Sequence, residues 1–301
     1  MADHSKESQS FDRFRQDRIR IMEELASIVR TAGPVSAILT DDLSESIQDL
    51  YEVFDRYPVR RNMPHCECCV TSEDIDLICS KPLRELAAAD LGKYAEKAIT
   101  TWGDVEDWKH FLPRLMELIA TEGLVHWANP ETVFSRFREG KWEGWDPVER
   151  HAVGFYFVSL WRFVLSRYRV IPLMETPLAV TANDYLCAIA QATDDLSPYL
   201  RMWRADRSIT ALRHLADFVV DTLDQVMKDG TLGPWWRGRA AETQVKEWLS
   251  DPATTQRLEE GMASSSSGPF AASLSAALGH LVRLSKWIDL KRFTDPGRPS
   301  Q

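Results

Sequence analysis

Between Met63 and Pro82 the chain reads MPHCECCVTSEDIDLICSKP, and this stretch holds four of its five cysteines: Cys66, Cys68, Cys69 and Cys79. Cys66 and Cys69 have C-x2-C spacing, which lets two thiolates from one tight turn reach a single ion. Tetrahedral zinc needs two more ligands, and Cys68, His65, Cys79 and His110 are the candidates. Cys68 is awkward, because adjacent residues of a short turn rarely aim at one point. Cys79 follows Ile75 by one helical turn and is placed to face a core. No second C-x2-C pair of the zinc-ribbon kind occurs. Three outcomes stand side by side. One is a zinc site centred on Cys66, Cys69 and His110, with Cys68, His65 and Cys79 as alternates. Another is a redox centre, formed by vicinal Cys68–Cys69 or by Cys66 with Cys69. The third is a group of unreactive thiols, since free cysteine is among the most buried residue types.

Other constellations are weaker. The segment GPWWRGR places Trp235 and Trp236 beside Arg237 and Arg239, a combination suited to an interaction hot spot or to plugging a helix groove. His214, Asp217, Asp221 and Asp224 fall at helical steps of three and four, and could line an edge for a divalent ion. Apolar Phe218, Val219 and Leu223 share that helix, so a solvated face is the simpler reading. Asp194-Asp195 could open an acidic magnesium motif, but before Ser197-Pro198 it reads better as helix punctuation. No H-E-x-x-H, G-x-S-x-G, P-loop or dinucleotide glycine pattern is present.

The elements that must position these groups read as helices. Asn129-Pro130, Asp146-Pro147, Ser197-Pro198 and Asp251-Pro252 each set an N-capping residue before a proline, and proline suits the first helical position. Phe11 to Val29 carries helical spacing that stops at Gly33-Pro34. Leu43, Ile47, Leu50, Tyr51 and Phe54 form the next stripe. Val148, Ala152, Phe155, Ser159 and Phe163 form another. Ile209 to Val226 closes at Gly230, and Leu274, Leu278, Leu281, Leu284 and Ile288 mark the last helix. RVIPLMETPLAV is the best strand candidate, but Pro172 and Pro177 demote it to an extended connection. Pro113 is expected to break or restart the helix that begins near Asp104. The sum is an all-α chain of roughly a dozen helices, an irregular globule or a short α-solenoid. A single domain over 1–301 is expected, with a sub-division near 123–129 and a mobile loop at 263–268.

Composition narrows the function classes. The 301 residues are 44% hydrophobic and 27% charged, with eleven tryptophans and a formal charge of −9. An acidic balance argues against a nucleic-acid partner, which wants a basic face. The basic runs Arg13 to Arg20 and Tyr57 to Arg61 read as solvated faces. The amino terminus lacks the apolar core of a secretory signal and no run of about 18 apolar residues appears, so a cytoplasmic chain without membrane spans is expected.

The run YPVRRNMPHCECCVTSEDIDLICSKPLREL, followed by TWGDVEDWKHFLPRLMEL, resembles a group of uncharacterised bacterial helical proteins. They carry a Cys-x-Cys-Cys loop and an HFLPR block, matched here by Cys66, Cys68, Cys69 and by His110 to Arg114. The resemblance covers roughly Tyr51 to Leu118. It implies that loop and block form one unit, and it implies no reaction. The expected function is a helical module that binds, neutralises or scaffolds a protein partner, with a structural metal at the cysteine loop as one of the three outcomes above. The alternative is a metal-dependent enzyme centred on Cys66, Cys69 and His110.

Overall fold

Asp146 accepts a hydrogen bond from the Val148 amide at 2.9 Å, and Glu149 reaches back to the Asp146 amide at 3.3 Å. This reciprocal cap satisfies the free amides at the start of a long helix, with Pro147 at its first position. Asp195 and Asp251 act alike: each carboxylate accepts from the amide two residues on, at 2.9 Å. The aspartate before each helix, rather than Ser197, therefore does the capping at the Ser197-Pro198 start.

The computed structural model describes residues 39–121, 130–173, 176–180, 182–264 and 269–294. The helix expected over Phe11–Val29, the basic run Arg13–Arg20, Asn129 and the sub-division near 123–129 lie outside them. Among the described residues are twelve α-helices. They are α1 (Asp41–Phe54), α2 (Ser72–Ile78), α3 (Ala88–Lys97), α4 (Val105–Thr121), α5 (Pro130–Glu139) and α6 (Pro147–Ser166). After a hairpin come α7 (Ala182–Ala192), α8 (Ser197–Ala205), α9 (Ile209–Asp229), α10 (Ala240–Ser250), α11 (Pro252–Ser264) and α12 (Pro269–Thr294). The all-α expectation holds. None of these helices is long and apolar enough to cross a membrane.

Packing partners are distant in sequence as often as adjacent: α1 lies against α4 and α6, α5 against α7, and α9 against α12. A solenoid stacks each unit on its sequence neighbours, so the irregular globule is the correct alternative. The core is aromatic. Trp203 stacks on Trp248 with centroids 5.1 Å apart and takes the edge of Trp161 at 5.3 Å, while Phe137 meets Phe157 at 5.0 Å. Helices α9 and α11 approach closely at Gly261, where an added Cβ would overlap the Leu212 side chain.

Four expectations need correction. RVIPLMETPLAV is not a bare connection: Arg169–Leu173 (β1) and Thr176–Val180 (β2) pair antiparallel, with Pro172 opposite Pro177. Both strands of a two-stranded ribbon are edges, so neither proline must interrupt a ladder. Helix α4 runs through Pro113 without a break. The lost hydrogen bond costs about 3 kcal/mol, but Trp108, Phe111, Leu112, Leu115 and Met116 bury almost completely on the same helix, each contributing roughly 1.5–3 kcal/mol. Val148 and Ile209, assigned to apolar stripes, are exposed, and each sits in the first turn of its helix. Ala263 and Ser264, placed in the mobile loop, are the last residues of α11; residues 265–268 lie outside the described ones.

Candidate metal centre

The segment from the end of α1 to the start of α2 is held at nearly every second residue. His110 on α4 donates from Nδ1 to the Tyr57 carbonyl at 2.7 Å. Arg60 reaches buried Asp107 at 2.8 Å and Asp104 at 2.5 Å. Arg61 bonds Asp76 on α2 at 2.5 Å. The run Tyr57 to Arg61, expected as a solvated face, instead supplies the anchors. Met63 and Val70 bury on either side of the cysteine turn, so the exposed residues between them have fixed ends.

The turn rests on a second turn, between α3 and α4. The Gly103 amide donates to the Pro64 carbonyl at 2.7 Å, His65 pairs with Trp102 in an isolated bridge, and the Cys66 amide donates to Thr101 at 2.9 Å. Gly103 has φ +73° and Ile99 has φ +64°. A β-branched residue in that region is strained, and such strain persists only where surrounding contacts over-determine it. The Cys69 and Val70 amides then both donate to the Cys66 carbonyl, at 2.9 and 3.0 Å, closing the turn. Thr71 caps α2 through its reciprocal bonds with Asp74.

This frame brings three sulfurs together. Cys66 Sγ lies 2.7 Å from Cys68 Sγ, which lies 3.4 Å from Cys69 Sγ. All three fall within 4.8 Å of one another, and among the described residues this is the one group of three or more His, Cys, Asp or Glu ligand atoms so gathered. Cys68, expected to be awkward, is the central member. Its thiol, hydrogen-bonded to Cys66 and then to Cys69, is pushed up to about 11. The Cys66 thiol is lowered by the hydrogen bonds it receives, chiefly from Cys68.

Three of the expected ligands lie elsewhere: His110 of the main set, and the alternates His65 and Cys79. His65 is exposed and donates from Nδ1 to the Met63 carbonyl at 2.9 Å. Cys79 caps the end of α2, and burial raises its pKa. His110 packs edge-on against Phe111 at 4.7 Å, and burial lowers its pKa against the pull of the Tyr57 carbonyl. All three stand outside the sulfur group.

The histidine–aspartate edge of α9 took another form than expected. Buried His214 accepts from the Ala182 amide at 3.3 Å and donates to the Arg167 carbonyl at 2.9 Å, and Asp217 accepts from Tyr168. That edge is packed against Arg167, Tyr168 and the start of α7 rather than wholly solvated. Asp194 takes a bidentate bond from Arg138 at 2.9 Å. In GPWWRGR, Trp236 is buried, whereas Trp235 is 41% exposed beside exposed Arg237; Arg239 folds back on the Trp235 carbonyl at 3.2 Å.

Sequence reasoning missed one network altogether. Glu149 is buried and accepts from Lys109 at 2.8 Å, Tyr57 at 2.5 Å and Arg56 at 2.5 Å. Lys109 also lies over the Trp145 ring at 4.4 Å. Burial pushes the Glu149 carboxyl up, but these donors outweigh it and the net shift is downward. The D-P-x-E spacing is a signal that could have found Glu149 as a capping residue; no local signal pairs it with Lys109. Compared with known proteins, the chain matches no family model, no curated protein and no solved structure.

Proposed function

We propose that this chain is a helical binding module that holds one thiophilic metal ion, zinc in the first instance, through Cys66, Cys68 and Cys69, and offers it to a protein partner. The observation that supports this reading is the gathering of three sulfurs within 4.8 Å on an exposed, firmly anchored turn. Zinc–sulfur bonds of about 2.3 Å in tetrahedral array set sulfurs about 3.8 Å apart. The Cys68–Cys69 separation of 3.4 Å is close to that; the Cys66–Cys68 pair must open by roughly 1 Å, which an exposed turn permits. Three protein ligands leave a fourth position open. Small substrates favour concave pockets, so an exposed turn suits a side chain from a partner protein better. Thiols kept reduced for this purpose fit the cytoplasm. Trp235 and Arg237 offer a second exposed patch of interface type, and the charge of −9 disfavours nucleic acid as the partner.

A metal-dependent enzyme is the second reading, favoured by the same open position. Elemental analysis of the reduced full-length protein tests both. One equivalent of zinc is expected, with Cys66→Ser, Cys68→Ser and Cys69→Ser each losing it, while Cys79→Ser and Cys187→Ser keep it. X-ray absorption is expected to show three sulfurs near 2.3 Å. Absence of stoichiometric metal in the reduced wild type overturns the metal reading in either form.

A further inference from the structure

We infer that Cys66 and Cys68 form a dithiol that exchanges with external disulfides, closing to a Cys66–Cys68 disulfide and leaving Cys69 as the free thiol of the trio. This goes beyond metal binding and stands without it, since it concerns which two sulfurs bond to each other. The closest pair is not the one that C-x2-C spacing suggests. Cys66 and Cys68 sulfurs are 2.7 Å apart, against roughly 2.05 Å for a disulfide. The turn thus already brings these two nearly into bonding range.

Geometry disfavours the two competing pairs. Vicinal Cys68 and Cys69 have α-carbons about 3.8 Å apart across a trans peptide, below the roughly 4.4–6.8 Å that disulfides span. Their sulfurs are also farther apart, at 3.4 Å. Cys66 and Cys69 are the two ends of a hydrogen-bonded turn, and Cys68 lies in contact with both of their sulfurs, at 2.7 and 3.4 Å. Cys68 is the exposed member, Cys66 is half-buried, and both lie on the surface turn where a small disulfide can reach them. Cys79 is half-buried at the end of α2 and Cys187 is buried in α7, so neither competes.

The chemistry balances with an aliphatic disulfide RSSR as the oxidant. One thiol of the pair loses its proton and attacks an RSSR sulfur. The S–S bond breaks, the first RS⁻ leaves and takes up a proton, and a mixed disulfide remains on the protein. The second thiol then attacks the protein-bound sulfur of that mixed disulfide, forming the Cys66–Cys68 bond and expelling the second RS⁻, which is protonated in turn. Two protein thiols are oxidised by two electrons, and RSSR is reduced to two RSH. The disulfide removes two of the three ligands proposed for zinc, so oxidation and metal occupancy exclude each other.

The test uses the full-length reduced protein, freed of metal by a chelator and treated with oxidised glutathione. Wild type is expected to lose two thiols per chain without retaining glutathione. Proteolysis after Glu67 separates Cys66 from Cys68 unless a disulfide joins the halves, and the joined fragment is the expected product. Cys69→Ser is expected to give the same cross-link; Cys66→Ser and Cys68→Ser are expected to stop at a stable glutathione adduct. A cross-link that survives in Cys68→Ser, or disappears in Cys69→Ser, assigns the bond to another pair and overturns the inference. So does a wild type that only accumulates the adduct. Zinc content is read on separate, reduced samples, so failure of the metal reading leaves this result intact, and the reverse.

Discussion

Gly103 and Asp107 meet so closely that no side chain fits between them: a Cβ at 103 would lie 2.8 Å from Asp107 Cβ and 2.9 Å from its Oδ2. The same glycine has φ +73° and donates to the Pro64 carbonyl at 2.7 Å. Asp107 in turn accepts from Arg60 at 2.8 Å and from the Asp104 amide at 2.9 Å. The platform beneath the cysteine turn therefore depends on one residue having no side chain.

Gly103→Ala is expected to destabilise the protein by roughly 1–3 kcal/mol, the cost of holding a residue in a sparsely populated backbone region, with the clash against Asp107 adding to it. Urea denaturation provides the measurement, as a lower midpoint at unchanged slope. Zinc affinity is expected to fall with it, because the Cys66 amide bond to Thr101 belongs to the same platform. A variant as stable as wild type, with metal binding intact, contradicts this account of the turn.

His110 separates a positioning role from ligation. Its Nδ1 bond to the Tyr57 carbonyl fixes the near end of the cysteine segment. Removing one hydrogen bond of this kind costs on the order of 1 kcal/mol. His110→Phe is expected to lower the melting temperature while the zinc stoichiometry of the reduced protein stays at one. Loss of the metal in this variant returns His110 to the ligand set.

What could be read from the sequence was mostly local. Asp146, Asp251 and Thr71 act through residues two or three positions away, so their caps are written in short stretches of chain. The stripe Leu43, Ile47, Leu50, Tyr51 and Phe54 is buried as expected, since one face of α1 meets one core. Periodicity fails at Val148 and Ile209, because a helical stripe does not say where the core ends. It also misleads at α6, where Val153, Tyr156, Phe157, Leu160 and Trp161 bury as well, leaving no single stripe. Pro113 obeyed tertiary burial rather than its own preference. At the cysteines, C-x2-C identified the place but not the nearest pair, which is set by hydrogen bonds to Thr101 and Gly103 some 35 residues away. The Lys109–Glu149 bond spans 40 residues, and no spacing rule reaches that far.

The Glu149 network has a pH signature whose sign follows from its depressed carboxyl. A carboxyl with a folded value below its unfolded value of about 4.3 contributes stability that is present above that pH. The contribution is lost as pH falls through the folded value. Glu149→Gln is expected to cost roughly 3–5 kcal/mol at pH 7, because Lys109 then keeps a buried charge without its partner. Below about pH 4 the difference between variant and wild type is expected to narrow. Equal differences at pH 7 and pH 3 contradict the assignment.

Trp235 and Trp236 are adjacent in sequence and opposite in environment, which makes them a controlled pair. Trp236 is 2% exposed, and its amide donates to the Gly233 carbonyl at 3.1 Å. Truncating so large a buried ring leaves a cavity, and Trp236→Ala is expected to cost roughly 3–5 kcal/mol. Trp235 is partly exposed, while its carbonyl is held by buried Gln191 at 3.1 Å and by Arg239. The backbone is thus fixed without help from the indole, and Trp235→Ala is expected to change stability by no more than about 0.5 kcal/mol. Acrylamide is expected to quench the Trp235 share of the emission far more than that of Trp236, measured as the difference between wild type and each variant. Equal destabilisation by the two substitutions makes Trp235 a packing residue and removes the patch from the proposed partner surface. A neutral Trp235→Ala leaves an exposed indole beside Arg237 with no structural duty in the isolated chain, which is the condition an interface residue has to meet.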